Sequence, residues 1–157
     1  MADPQATYVE DVALFFEEAG LPRIAGRILG LLLICDPPWR TAPQLAEELE
    51  ASKGSVSTMT RMLMRAGLIE KVALPGARAT AFQLTDDGFE NMFAQQIAQV
   101  VAFRPIADRG LALLQGTGAA PERLKTLQAL YAFFEREMPR LLEKWREERA
   151  QRDRSTR

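Results

Sequence analysis

APQLAEELEASKGSVSTMTRMLMRAGLIEKVALPGARATAFQLT, residues 42–85, decides how this 157-residue chain is read. Pro43 suits the first turn of a short helix through Leu49, with Leu45, Ala46 and Leu49 facing inward. Ala51 and Ser52 form a turn, and Ser52 is a good N-cap for a second helix, Lys53 to Arg65, which Gly67 ends. At 100° per residue, Val56, Met59, Thr60 and Leu63 share its inner face. Gly54, Thr58, Arg61 and Arg65 fall opposite, with Ser57 on the flank. Leu68 to Leu74 then alternates as a strand, Pro75-Gly76 turns, and Ala79 to Thr85 returns with Phe82 and Leu84 in phase. Helix, turn, helix and hairpin in this order predict a winged helix-turn-helix.

Upstream, Val9, Val12, Ala13 and Phe16 recur at helical spacing from Tyr8 to Ala19, and Phe15 is expected to widen that face. Gly20 stops this acidic helix. The next segment, LPRIAGRILGLLLICD, is apolar nearly all round and should be buried. Gly26 and Gly30 lie four apart on one face of it. Each costs about 1 kcal/mol against alanine inside a helix, so the pair predicts a close crossing by another helix. Asp36-Pro37-Pro38 begins a linker.

Downstream, Thr85-Asp86-Asp87 is expected to cap a long helix with a stripe of Phe89, Phe93, Ile97, Val100 and Val101. Pro105 should kink or break it, and residues 116–120 read as a loop. From Pro121 a last helix carries Leu124, Leu127, Tyr131, Phe134, Met138, Leu141 and Trp145 in steps of three and four, an a/d seam about three heptads long. Its partner is expected to be a second copy of the chain. Pro139 should bend or restart this helix, and the charged tail from Arg146 is expected to fray. The expected fold is mainly α with a small β-hairpin wing. Its parts are supporting and dimerising helices over 1–36, a winged lobe over 37–86 and dimerising helices over 87–157.

Composition narrows the function. Hydrophobic residues make up 47% of the chain, enough for a core. With no histidine, His-based catalytic triads and His metal sites are excluded. No glycine-rich phosphate loop or nucleophile–base pair stands out, and helix capping explains Asp86-Asp87 better than catalysis does. An enzyme, a cofactor and a bound metal are therefore not expected. The single cysteine, Cys35, suits a reducing compartment and reads as a buried, inert thiol. The start lacks the basic region of a signal peptide, and the longest apolar run is far short of the roughly 20 residues of a membrane span. A cytoplasmic protein is expected.

Net charge is −1 overall, yet residues 51–80 carry Lys53, Arg61, Arg65, Lys71 and Arg78 against Glu70 alone, a local balance of +4. That is the focused charge a phosphate binder needs. Small residues let the second helix sit deep in a major groove, and arginine pairs bidentately with guanine. The expected DNA-contacting residues are Ser52, Lys53, Gly54, Ser55, Ser57, Thr58, Arg61 and Arg65, with Arg78 near the hairpin tip reaching an adjacent minor groove or backbone. The competing reading is a winged-helix protein-interaction module that does not touch DNA, suggested by the acidic pI of about 5.6.

The segments SKGSVSTMTRMLMRAGLIEKV (52–72) and LTDDG (84–88), with the wing, resemble MarR-type winged-helix regulators. The upstream GLPRIAGRILGLLLICDP (20–37) resembles their GbsR branch. The resemblance implies a homodimeric transcriptional regulator on double-stranded DNA, a repressor released by a small molecule, with its dimer interface built from N- and C-terminal helices. GbsR relatives include repressors that sense choline, and a quaternary ammonium would want an aromatic cage. Trp39 and Tyr131 are the residues weighed for such an effector. Tyr131 fits the heptad seam better, so the regulatory role carries over and the ligand does not.

Overall fold

The computed structural model describes residues 3–74, 80–116 and 121–155. The Pro75-Gly76 turn and Arg78 lie outside them. The chain divides into two compact units, the first running to Met92 and the second starting at Phe93.

The first unit begins with α1 (Pro4–Glu18), capped by Asp3, whose carboxylate accepts from the Gln5 amide. Helix α2 (Arg23–Ile34) crosses it at the two glycines. A Cβ placed on Gly26 would lie 2.7 Å from Ala13 Cα, and one on Gly30 would lie 3.1 Å from Val9 Cα. The predicted crossing is therefore a backbone-to-backbone contact, and the helical cost of the glycines is offset by the packing of Val9, Ala13, Ile28 and Leu29. Phe15 does not join this face: it is 66% exposed and touches Phe16 edge-on. One residue is 100° of helix, which turns it away from the stripe that Phe16 occupies.

Next come β1 (Arg40–Thr41), α3 (Ala42–Glu48), α4 (Lys53–Arg65), β2 (Ile69–Ala73) and β3 (Thr80–Leu84). The wing is not a bare hairpin. Strand β1, in the segment expected to be a linker, pairs antiparallel with β3 in the order β1-β3-β2, with Thr41 opposite Ala81 and Arg40 opposite Phe82. As the middle strand, β3 buries both Ala81 and Phe82. Arg40 anchors the new edge through Glu48 at 2.8 Å and the Pro37 and Trp39 carbonyls. Leu45, Leu49, Val56, Leu63, Leu68 and Ile69 join α2 in one core, as the apolar spacing predicted for the helices.

Helix α5 (Gly88–Val101) starts in the first unit, where Phe89 stacks on Phe16. The Thr85 hydroxyl donates to the Gly67 carbonyl at 2.6 Å. Gly88 is wedged beside both, since a Cβ there would meet Thr85 Oγ1 at 2.3 Å and the Gly67 oxygen at 2.9 Å.

In the second unit, Phe93 and Val100 of α5 are exposed, so that part of the expected stripe has no cover. Pro105 breaks the helix: α5 ends at Val101, and α6 (Arg104–Leu114) begins with the proline in its first turn, where no N–H is needed. Helix α7 runs from Glu122 to Ser155 and includes Pro139. The tail after Arg146 is helical rather than frayed; within it the Arg152 guanidinium lies over the Trp145 ring, 5.8 Å from its centroid. Helices α6 and α7 meet where Leu124 fills the space over Gly110 and Tyr131 packs on Phe103, ring centroids 4.9 Å apart. Arg104 pairs with Glu135 beside them.

Candidate nucleic-acid interface

Helix α4 is fixed at both ends and along one side. Ser52 accepts from the Ser55 amide at 3.1 Å and donates to the Ser55 hydroxyl at 2.9 Å. At the far end, Gly67 takes φ +70°, the left-handed conformation that closes a helix. Val56 and Leu63 are fully buried, with Met59 half-buried beside them. Thr60 is buried too, and its hydroxyl donates to the Val56 carbonyl at 2.8 Å, so no polar group is stranded. Helix α3 carries a capping box: Thr41 accepts from the Gln44 amide while the Gln44 side chain accepts from the Thr41 amide. T-x-x-Q was present in the sequence and would have placed the start of α3 one residue before Pro43.

Every expected contact residue on α4 is exposed: Ser52, Lys53, Gly54, Ser55, Ser57, Thr58, Arg61 and Arg65 form one continuous outward face. Small residues occupy its N-terminal half and the arginines its C-terminal half. The Arg61 guanidinium lies along the helix, Nε donating to the Ser57 carbonyl at 3.2 Å. Among the described residues, none of Lys53, Arg61 and Arg65 pairs with a carboxylate. The other described arginines of this unit behave differently: Arg23, Arg27 and Arg40 are all in ion pairs. The positive charge of α4 is thus left for an external anion. On the wing, Lys71 is exposed, and Glu70 is occupied by the Gln83 amide at 2.7 Å.

One part of this surface escaped sequence reasoning. Beside α4 lies an open groove of about 450 Å³, lined by Pro22, Arg23 and Ile24 on one wall and Gly54, Ser55, Thr58 and Met59 on the other. Nothing in the periodicity of residues 20–37 links Arg23 to a helix 30 positions later, because the packing of α2 on α4 is tertiary.

The other candidate residues are dispersed. Trp39 is half-buried in the first unit, and Tyr131 is engaged by Phe103 in the second. Cys35 is half-buried, and desolvation pushes its thiol pKa up, away from a reactive thiolate. Along the heptad seam Leu124, Leu127, Tyr131, Phe134 and Met138 are half-buried, whereas Leu141 and Trp145 are 63% and 40% exposed.

Comparison with known proteins follows this geometry. A family model described as MmpR5-like MarR family transcriptional regulator matches residues 87–148, and an IclR helix-turn-helix domain model matches residues 19–73. The chain is 39% identical over 132 residues to the HTH-type transcriptional regulator MmpR5 of Mycobacterium tuberculosis, covering 82% of this chain and 78% of that protein. It is 28% identical over 122 residues to the HTH-type transcriptional repressor OpcR of Bacillus subtilis, covering 73% and 65%. A crystal structure of a transcriptional regulator superposes with a TM-score of 0.68 at 34% identity, over 92% of this chain and 99% of that one.

Proposed function

We propose that this chain, which belongs to the MarR family of DNA-binding winged-helix transcriptional regulators in its MmpR5-like form, is a homodimeric repressor that a small molecule releases from its operator. Such proteins are regulators and not enzymes. The observation that carries the reading is the outward face of α4, where Lys53, Arg61 and Arg65 stand without carboxylate partners among the described residues, flanked by small side chains that admit a DNA edge. A single helix reads too few bases for an operator, so two copies are needed, with half-sites about 34–36 Å apart. The exposed apolar side chains of the second unit, Leu113, Leu130, Phe133, Leu141 and Trp145 among them, support the second copy. Within the family, residues 20–37 favour the GbsR branch, and the cytoplasm is the compartment where such a regulator meets DNA.

In this mechanism the α4 helices enter successive major grooves. Lys53, Ser52 and the first-turn amides hold phosphate, while Ser55, Ser57, Thr58, Arg61 and Arg65 face base edges and Arg78 serves the wing. An effector that alters the spacing of the two α4 helices releases the operator. Trp39 and Tyr131 remain the aromatic candidates for contacting it.

Selection of bound duplexes from a random pool tests the reading, with a palindrome expected. On the selected site Arg61→Ala should cost about 1–3 kcal/mol and relax preference at one position, while Lys53→Ala weakens all sequences alike. Affinity that ignores salt, or both variants binding as the parent does, would favour a protein-interaction module instead. Screening metabolites for loss of operator affinity tests release.

A further inference from the structure

The groove beside α4 has two unlike walls. Gly54, Ser55 and Thr58 form a low, neutral one on the face proposed to enter DNA. Across from them stands Arg23, whose side chain is 49% exposed and whose guanidinium reaches Glu10 at 2.8 Å and Glu17 at 3.8 Å. Glu10 has a second partner, Arg27, at 2.6 Å. The two arginines are not equivalent. Arg27 is only 24% exposed and does not border the groove, so it serves the α1–α2 contact, whereas Arg23 stands at the edge of the open surface.

We infer that Arg23 is a phosphate-positioning residue, gripping the DNA backbone alongside the major groove that α4 enters. A helix with side chains is about 10–12 Å across and the major groove about 12 Å wide. A recognition helix therefore fills the groove, and its flanks face the two phosphate strands. Arg23 occupies the flank beside the N-terminal half of α4. Gly54, Ser55 and Thr58 are too small to screen it from a strand lying there. Turning Arg23 outward leaves Glu10 with Arg27 and returns Glu17, whose side chain is 47% exposed, to water. The pair it gives up is part-exposed and screened by solvent, so of modest worth, while a phosphate offers bidentate, charge-assisted bonds. Free of DNA, Glu10 and Glu17 hold the guanidinium ready at the groove edge. In the complex its contact fixes the register of α4 without reading sequence.

This rests on the DNA-binding reading, and the test separates the two. Binding of the full-length parent, Arg23→Ala, Arg23→Lys, Arg27→Gln and Arg109→Ala proteins to the selected operator duplex is measured across a salt series. Each phosphate contact contributes about 0.9 to the slope of log affinity against log salt. Arg23→Ala should flatten the slope by about 2 for a dimer with unchanged base preference, and Arg23→Lys should restore most of it. Arg27→Gln and Arg109→Ala, each removing one cation elsewhere, should keep the parental slope. Arg109 in α6 serves as the control should the Arg27 variant melt early. A parental slope in Arg23→Ala, or equal flattening in the controls, overturns the assignment. A parent whose affinity does not depend on salt overturns the DNA reading itself.

Discussion

The two units of this chain solve the problem of burial in opposite ways. Among the described residues, every fully buried apolar side chain except Ala107 lies in the first unit. There, helices touch backbone to backbone at Gly26 and Gly30, a three-stranded sheet closes the side, and Ile28, Leu29, Leu45 and Leu63 have no exposure at all. The second unit has long helices and, among the described residues, Ala107 as its one fully buried apolar side chain. Helix α7 buries none of its described residues, and Leu113 and Leu141 are 79% and 63% exposed. The first unit is built to hold one rigid face in position, whereas the second leaves its apolar surface for something else to cover. Reading DNA needs the first property, and pairing two copies needs the second.

The contrast breaks most sharply at its centre. Leu29→Ala removes a fully buried side chain and should lower unfolding free energy by about 2–5 kcal/mol at any protein concentration, as followed by denaturant titration. Leu141→Asp should act on assembly instead, raising the dissociation constant tenfold or more, which analytical ultracentrifugation would read. If Leu141→Asp destabilised at all concentrations and left association untouched, the second unit would have an interior after all. A smaller effect belongs to Ser52→Ala, which loses the α4 cap and should cost about 1 kcal/mol in a thermal melt.

The smallest effect probes the α1–α2 edge by pH. The Arg23 hydrogen bond, with Arg27 alongside, holds the Glu10 carboxyl below its usual range. A carboxyl lowered in the folded state stabilises it fully above the unfolded pKa of about 4.3, and the benefit is lost as pH falls through the folded value. Glu10→Gln should therefore be less stable than the parent at neutral pH. The deficit should be under about 1 kcal/mol because Glu10 and Arg23 are each more than a third exposed and solvent screens them, and it should close in acid. A deficit that persists unchanged in acid would mean that packing, and not charge, is what the substitution removes.

What the sequence disclosed followed from local rules. The Ser52 cap, the φ-positive Gly67, the inner face of α4 and the glycine crossing each have a signature within a few residues. Helix α5 breaking at Pro105 is of the same kind. The surprises came from contacts made across the chain. Strand β1 is two residues long and pairs with residues some 40 positions away, so no period announces it. Arg23 borders α4 only because of how α2 packs. Phe15 stands outside the α1 stripe because one helical step is enough to move a side chain off a face. Helix α7 persists to Ser155, where a run of charges alone reads as a solvated tail. The outward residues of α4 were all foreseen as exposed, because a face left over by an apolar stripe is visible in the stripe itself.

Gly88 is a bearing point. It stands where the carbonyl of Gly67 closing α4, the hydroxyl of Thr85 ending β3 and the first turn of α5 converge, with no side chain between them. This is a joint without a washer. At this point the first turn of α5 meets the Gly67 backbone directly, and the Thr85 side chain alone lies beside it. The start of α5, the end of β3 and the close of α4, two residues from Arg65, therefore share one contact.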